Sequence, residues 1–282
     1  MVAAPVLWST AGVVTRHIEH AGPFEQVFWR SLFAFAFVAS ALLVARRHPW
    51  RAVHAAGLPG IVSSAMWAVM FTAYLFALSL TSVANALVVM SVSPLLTALF
   101  ARLVLSDPVP VRTWLAAIAA ALGIAWMFAD QIGGTHARDV AGMLIALLIP
   151  VAAAANVVTL RAAAARLDLV PAVMMGAALS WLLALPFVGS FSASARDVAL
   201  LAFLGVFQLG LPCMLLVVAS RSLLAPEIAL LGLLEVVLGP LWTWLGAGEV
   251  PARGTLLGGA VVLAALVGNE LAALKLRAAR NP

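Results

Sequence analysis

Among the 282 residues of this chain, Glu235 is placed best for chemistry. It lies about ten residues into the apolar run 226–246, roughly 15 Å along a helix and so near the middle of a bilayer. An ionised carboxylate at that depth is costly without a partner, so it faces protein or a watery cavity, or carries a proton. It can exchange a coupling proton, touch a substrate, or hydrogen-bond two helices together. Arg30 is the one cation well inside an apolar run, about 9 Å from the nearer helix end. It can neutralise Glu235, grip a substrate carboxylate through two parallel hydrogen bonds, or cap backbone carbonyls. Pro94 and Pro240 occupy equivalent places in two runs, and Pro212 with Gly210 marks a third irregular one. Proline removes a backbone hydrogen bond and kinks a helix, and in lipid the freed carbonyls need water or neighbours. Matching breaks in corresponding spans point to a binding site, although each proline taken singly reads more readily as a static kink.

The other intramembrane polar groups are few. Asn85, Asn156 and Gln208 are expensive to bury and are candidates for lining a cavity. Ser9, Ser91 and Thr243 are weaker, because small hydroxyls bond back to their own helix. Trp8, Trp67, Tyr74 and Trp242 can form an aromatic wall for a mostly apolar solute. Trp50 and Trp114 read as interfacial anchors. Met66, Met70 and Met90 can adapt to varied ligands or simply fill gaps.

Positioning such groups is the task of the apolar runs. The chain is 65% hydrophobic and 10% charged, far outside the range of a soluble domain. Runs long enough to cross the hydrocarbon core are expected at 2–15, 24–45, 57–79, 83–104, 112–129, 140–160, 169–190, 197–219, 226–246 and 254–273. The first is short, so the natural start is expected to lie upstream or to have been trimmed. Connections are short, and no soluble domain is inserted. Cys213 is the lone cysteine, which excludes an internal disulfide framework and a CxxC metal or redox site.

The chain nearly repeats itself. Val92-Ser93-Pro94-Leu95-Leu96-Thr97-Ala98-Leu99 is echoed by Leu238-Gly239-Pro240-Leu241-Trp242-Thr243-Trp244-Leu245. Pro110 to Leu115 is echoed by Pro251 to Leu256, and Val13-Val14-Thr15 by Val157-Val158-Thr159. Five spans per repeat turn the second half upside down relative to the first, the arrangement by which many secondary transporters alternate access. The expected fold is all-α and integral to the membrane: ten transmembrane helices as two inverted five-helix repeats around a central cavity. The first repeat spans 1–130, the second 139–273, and 274–282 is a tail. With a cytoplasmic N-terminus, 11 arginines and lysines fall inside and 4 outside. That split places both termini in the cytoplasm. The net charge of +5 is thus a topology signal, which argues against a nucleic-acid partner.

Several local patterns resemble the EamA family of the drug/metabolite transporter superfamily. Leu7-Trp8-Ser9-Thr10 is similar to its L-W-[GS]-[ST] opening, and Phe28-Trp29-Arg30 to its F-x-R element. Leu234-Glu235-Val236-Val237-Leu238-Gly239-Pro240, followed by Gly248-Glu249, resembles the L-E-P-x-x-x-P…G-E stretch of its second repeat. Val236 departs from the proline often found there, and Ser106-Asp107-Pro108 stands where the first half would carry G-E. The resemblance implies a multi-pass transporter of the inner (plasma) membrane that moves small organic solutes, usually outward. It implies no cofactor.

Other classes fare worse. No phosphate-cradling G-x-x-x-x-G-K-[ST] occurs, as a primary pump would need. All five histidines map to loops or span ends and the intramembrane carboxylate is essentially single, so a metal site or catalytic dyad is not expected and the chain is not read as an enzyme. A channel would show a charge ring or a carbonyl filter. The alternative reading is a lipid flippase or another membrane scaffold. One cavity cation argues against phosphate-bearing cargo and for neutral, zwitterionic or apolar solutes, such as amino acids (aromatic ones included) or drug-like amphiphiles. Protons are a possible coupling ion, and a cavity within one chain makes a monomer sufficient.

Overall fold

In lipid an isolated segment can satisfy its own backbone N–H and C=O groups only as a helix, and every element among the described residues is helical. The computed structural model describes residues 1–46, 48–105, 110–132, 137–163, 167–221 and 225–278, with side chains described for these except 50, 105, 127–132, 225–230, 233, 270 and 273–278. Expectations at Ser106, Asp107, Pro108 and His136, and for the side chain of Trp50, fall outside the described residues. So do five of the topology cations: Arg47, Arg166, Arg280 and the side chains of Lys275 and Arg277.

The first half runs α1 (Ala3–Ser9), α2 (Ala11–Thr15), α3 (Pro23–Val44), α4 (Pro49–Leu80), α5 (Val83–Met90), α6 (Ser93–Leu105) and α7 (Val111–Ile132). The second runs α8 (Ala137–Ala146), α9 (Leu148–Ala163), α10 (Val170–Ala184), α11 (Ala195–Phe203), α12 (Leu211–Ala219), α13 (Ala225–Ala247) and α14 (Arg253–Ala278). A 3-10 turn, Leu185–Phe187, extends α10. A π-helical stretch, Leu204–Gly210, joins α11 to α12. Among the described residues, six helical stretches are long and apolar enough to cross a membrane: Pro23–Val44, Arg51–Leu80, Val83–Val104, Ala137–Ala163, Val170–Phe187 and Ala195–Ala219. Ala3–Thr15, Val111–Trp126, Leu234–Ala247 and Arg253–Asn269 are apolar but shorter.

Several interruptions have visible causes. Gly57 inside α4 adopts φ 55° and ψ −151°, a conformation open to glycine alone, and Pro59 follows, so a short leading segment meets the main helix at an angle. The α5–α6 break falls at Ser91-Val92, just ahead of Pro94. The helix break expected at Pro240 takes a different form, because α13 continues as one helix through that residue. Thr243 Oγ1 donates back to the carbonyls of Gly239 (2.9 Å) and Pro240 (3.2 Å). The repeat-related prolines therefore do unequal things: one separates two helices and the other is absorbed.

Packing between helices relies on absent side chains, as expected where lipid leaves little hydrophobic drive for helices to associate. The most extensive helix pairs are α4–α10, α7–α14 and α3–α10. A Cβ on Gly176 of α10 would lie 2.4 Å from Trp67 Cβ and 3.0 Å from the Ser64 carbonyl on α4. A Cβ on Gly123 of α7 would lie 2.8 Å from the Gly258 carbonyl on α14. Gly176→Val is expected to cost about 1–3 kcal/mol by overpacking. Thermal unfolding of the detergent-solubilised protein checks this, and an unchanged midpoint would refute the tight α4–α10 contact.

Candidate functional site

α3, α4, the π stretch, α12 and α13 bring their polar side chains together in the interior. Arg30, on α3, is 1% exposed. Its Nη1 donates to Gln208 Oε1 at 3.5 Å, a long and weak contact, and its Nη2 donates to the Phe71 carbonyl on α4. Its Nε is buried and finds no acceptor. The guanidinium carbon sits 5.8 Å from the centroid of the Tyr74 ring, a distance at which the ring face attracts a cation. Arg30 is thus held by neutral groups, with no carboxylate partner among the described residues.

Gln208 reaches Arg30 because the helix around it is not regular. Pro212 has no N–H and its ring would collide with the carbonyl four residues earlier, that of Gln208, in an α-helix. The π stretch widens the turn, and Leu211 N–H accordingly bonds back five residues to the Val206 carbonyl. Gly205 lets this stretch lie directly on α3: a Cβ there would be 2.5 Å from the Arg30 carbonyl. The extra residue in the turn and the missing side chain together bring the Gln208 amide to the guanidinium.

Glu235 on α13 is half-buried. It has no hydrogen-bond or ion-pair partner among the described residues, and it lies within electrostatic range of Tyr74 and Cys213. Cys213, on α12, is 1% exposed and lies beside the Trp8 side chain. Trp8, Arg30, Tyr74, Gln208 and Glu235, singled out by residue type, therefore share one region with Cys213 and the Phe71 carbonyl. Trp67 lies one turn from Phe71 on α4. Its ring packs against that of Phe71 at 5.4 Å, and its Nε1 is a second buried donor without an acceptor.

The remaining candidates have partners of their own elsewhere. The Asn156 Oδ1 on α9 accepts from the Ser63 hydroxyl at 2.6 Å. Asn85 on α5 donates to Thr81 Oγ1 at 3.0 Å and accepts from Thr255 Oγ1 on α14. Trp242 is 36% exposed and donates to Ser9 Oγ at 3.1 Å, tying α13 to α1. Residue type alone does not mark Cys213 as a site residue. Its position beside Pro212, in a helix already marked irregular, was the available signal.

Chemically, the cluster offers a positive guanidinium with a spare donor, a second spare donor on Trp67, an aromatic floor and a separate carboxylate. Such a set can hold a small molecule with an acceptor group at one end.

Residues 1–129 match the family model described as the EamA-like transporter family. No curated protein matches the chain. Among sixteen matching solved chains, one crystal structure superposes with a TM-score of 0.65 at 22% identity, over 99% of this chain and 96% of the other. That likeness speaks for the fold alone.

Proposed function

Because residues 1–129 match the EamA-like transporter family, we propose that the chain is a multi-pass membrane transporter of small molecules, and that it is an exporter working by alternating access. The ten apolar helical stretches form two inverted repeats, roughly 1–130 and 139–273, with both termini cytoplasmic in the inner membrane. Cargo binds between the halves against Arg30, Tyr74, Gln208, Trp8 and Glu235. The observation that carries this reading is Arg30: a fully buried cation held only by neutral acceptors, with Nε unspent. A charge left in that state is costly to the folded protein, and an arriving acceptor group offsets that cost. Glu235, near but unpaired, suits an ammonium at the other end of a zwitterion, or a coupling proton. Amino acids and drug-like amphiphiles with an acceptor group fit, and no second subunit is required.

The test is counterflow and gradient-driven uptake in proteoliposomes with a panel of amino acids and amphiphilic drugs, with and without a pH gradient. Saturable transport of a carboxylate-bearing solute, lost when its carboxylate is esterified, is the expected result. Failure of a well-folded preparation to move any solute on the panel would sink the exporter reading.

A further inference from the structure

Two polar clamps join the first half of the chain to the second at one end of the bundle, the end where α2 and α4 stop and α5, α11 and α14 begin. They differ in how deeply they are buried. In the first, Arg16 follows the last residue of α2. Its Nη1 and Nη2 donate to the carbonyls of Leu78 (2.7 Å) and Thr81 (3.0 Å), which the end of α4 leaves free. Its Nε donates to Glu249 Oε2 at 2.6 Å. The other oxygen of Glu249 accepts from the backbone N–H of Val83, the first residue of α5, at 2.6 Å. One ion pair thus occupies both helix ends at the α4–α5 joint and fastens that joint to the α13–α14 loop. Gly248 sets the geometry: its φ is 67° and its N–H bonds to the Trp244 carbonyl, ending α13 in a left-handed cap and turning Glu249 back. The two charged side chains are 29% and 21% exposed.

The second clamp is sealed. Asp197 is 1% exposed and Glu25 is 3% exposed. Asp197 accepts from the backbone N–H groups of Glu19, His20 and Ser194 and lies 3.1 Å from the His20 ring. Glu25 accepts from the backbone N–H groups of Ser192 and Ala193, both at 3.0 Å, and from the Trp29 indole at 3.3 Å. Opening this clamp would strand two buried carboxylates, whereas opening the first releases its charges to water at small cost.

We propose that Arg16 and Glu249 form the releasable latch closing this end of the cargo cavity, while the Glu25–Asp197 clamp stays shut and acts as the pivot. The proposal rests on the alternating-access reading and adds to it which contact breaks. On this view the structure is closed at the Arg16 end, and cargo enters from the opposite end, where α12 stops at Ala219.

The natural lone cysteine is the reporter. Cys213 is buried beside Arg30, so a membrane-impermeant maleimide reaches it only through an open end. The full chain is labelled in sealed vesicles of both orientations without substrate. Glu249→Gln is expected to raise labelling from the Arg16 face by about fivefold or more, the equivalent of losing one partly exposed bridge. Gly248→Val, which displaces Glu249 without changing charge, is expected to do the same. Unchanged labelling in both variants, with melting points as in the parent, overturns the latch. Labelling that rises equally from both faces overturns it too, because the bundle has then loosened rather than opened. The readout needs no transported solute, so a failed transport panel and a failed latch remain separate results.

Discussion

Arg30→Met is expected to abolish transport, by at least about 100-fold in kcat/KM, while leaving the protein as stable as the parent or more so. The two halves of that expectation come from one observation. Arg30 is buried with no carboxylate beside it among the described residues, and its acceptors are the Phe71 carbonyl and a weakly placed Gln208. The effective penalty for such a buried ion is several kcal/mol, and an apolar side chain of similar volume often stabilises the site it replaces. Against that gain stands the loss of two hydrogen-bond donors, about 1–3 kcal/mol for the acceptors left behind. The first effect is larger, so the melting point holds or rises. Transport depends on what the guanidinium gives an incoming acceptor, a charge-assisted contact worth roughly 3 kcal/mol, or about two orders of magnitude. Arg30→Lys keeps the charge but loses the planar fork, and is expected to fall between. A large drop in the melting point of Arg30→Met, with transport lost only in proportion to folded protein, would show that Arg30 is a structural strut.

Residue types are legible in the sequence, whereas the helix faces they occupy are not. Residue type alone marks Arg30, Gln208 and Glu235, because an ionisable or amide side chain in an apolar run stands out whatever it touches. Which of them meet is a matter of rotation about each helix axis, and α10, α13 and α14 are apolar nearly all round, so no stripe records it. That is why Asn85 and Gln208 read alike as candidates, yet one is spent between α5 and α14 and the other lies on Arg30. The prolines mislead for a related reason. Pro94 and Pro240 occupy matching positions, but whether a proline separates two helices or is carried within one depends on the groups around the freed carbonyls. Pro240 frees the Val236 carbonyl, whereas Thr243 bonds back to the carbonyls of Gly239 and Pro240, so the continuity of α13 is not its doing. The Glu25 and Asp197 clamp was not legible either. Each carboxylate sits near a helix start, where acidic residues are commonplace, and only the folded chain brings the loops 17–22 and 188–194 under the same two side chains.

Glu235→Gln separates a coupling carboxylate from one that only contacts cargo. The substitution keeps the size and the hydrogen-bonding capacity of the side chain and removes its exchangeable proton. If Glu235 carries that proton between the two sides, uptake driven by a pH gradient should fall to the level seen without one. A single coupled proton supports about tenfold accumulation per pH unit, so with an imposed gradient of one unit the loss is about tenfold. Counterflow, in which labelled and unlabelled solute exchange with no net proton movement, should survive within about threefold, since the bound state and its reorientation are intact. If Glu235 instead holds the cargo's ammonium, the same variant should weaken counterflow and gradient-driven uptake together, chiefly through KM, because the missing charge acts whenever cargo binds. Gradient-driven transport that survives unchanged would remove Glu235 from both roles. Its half-buried position and its lack of a partner among the described residues favour the first two outcomes, since a carboxylate kept in the interior for structure alone would be expected to have a hydrogen-bond donor.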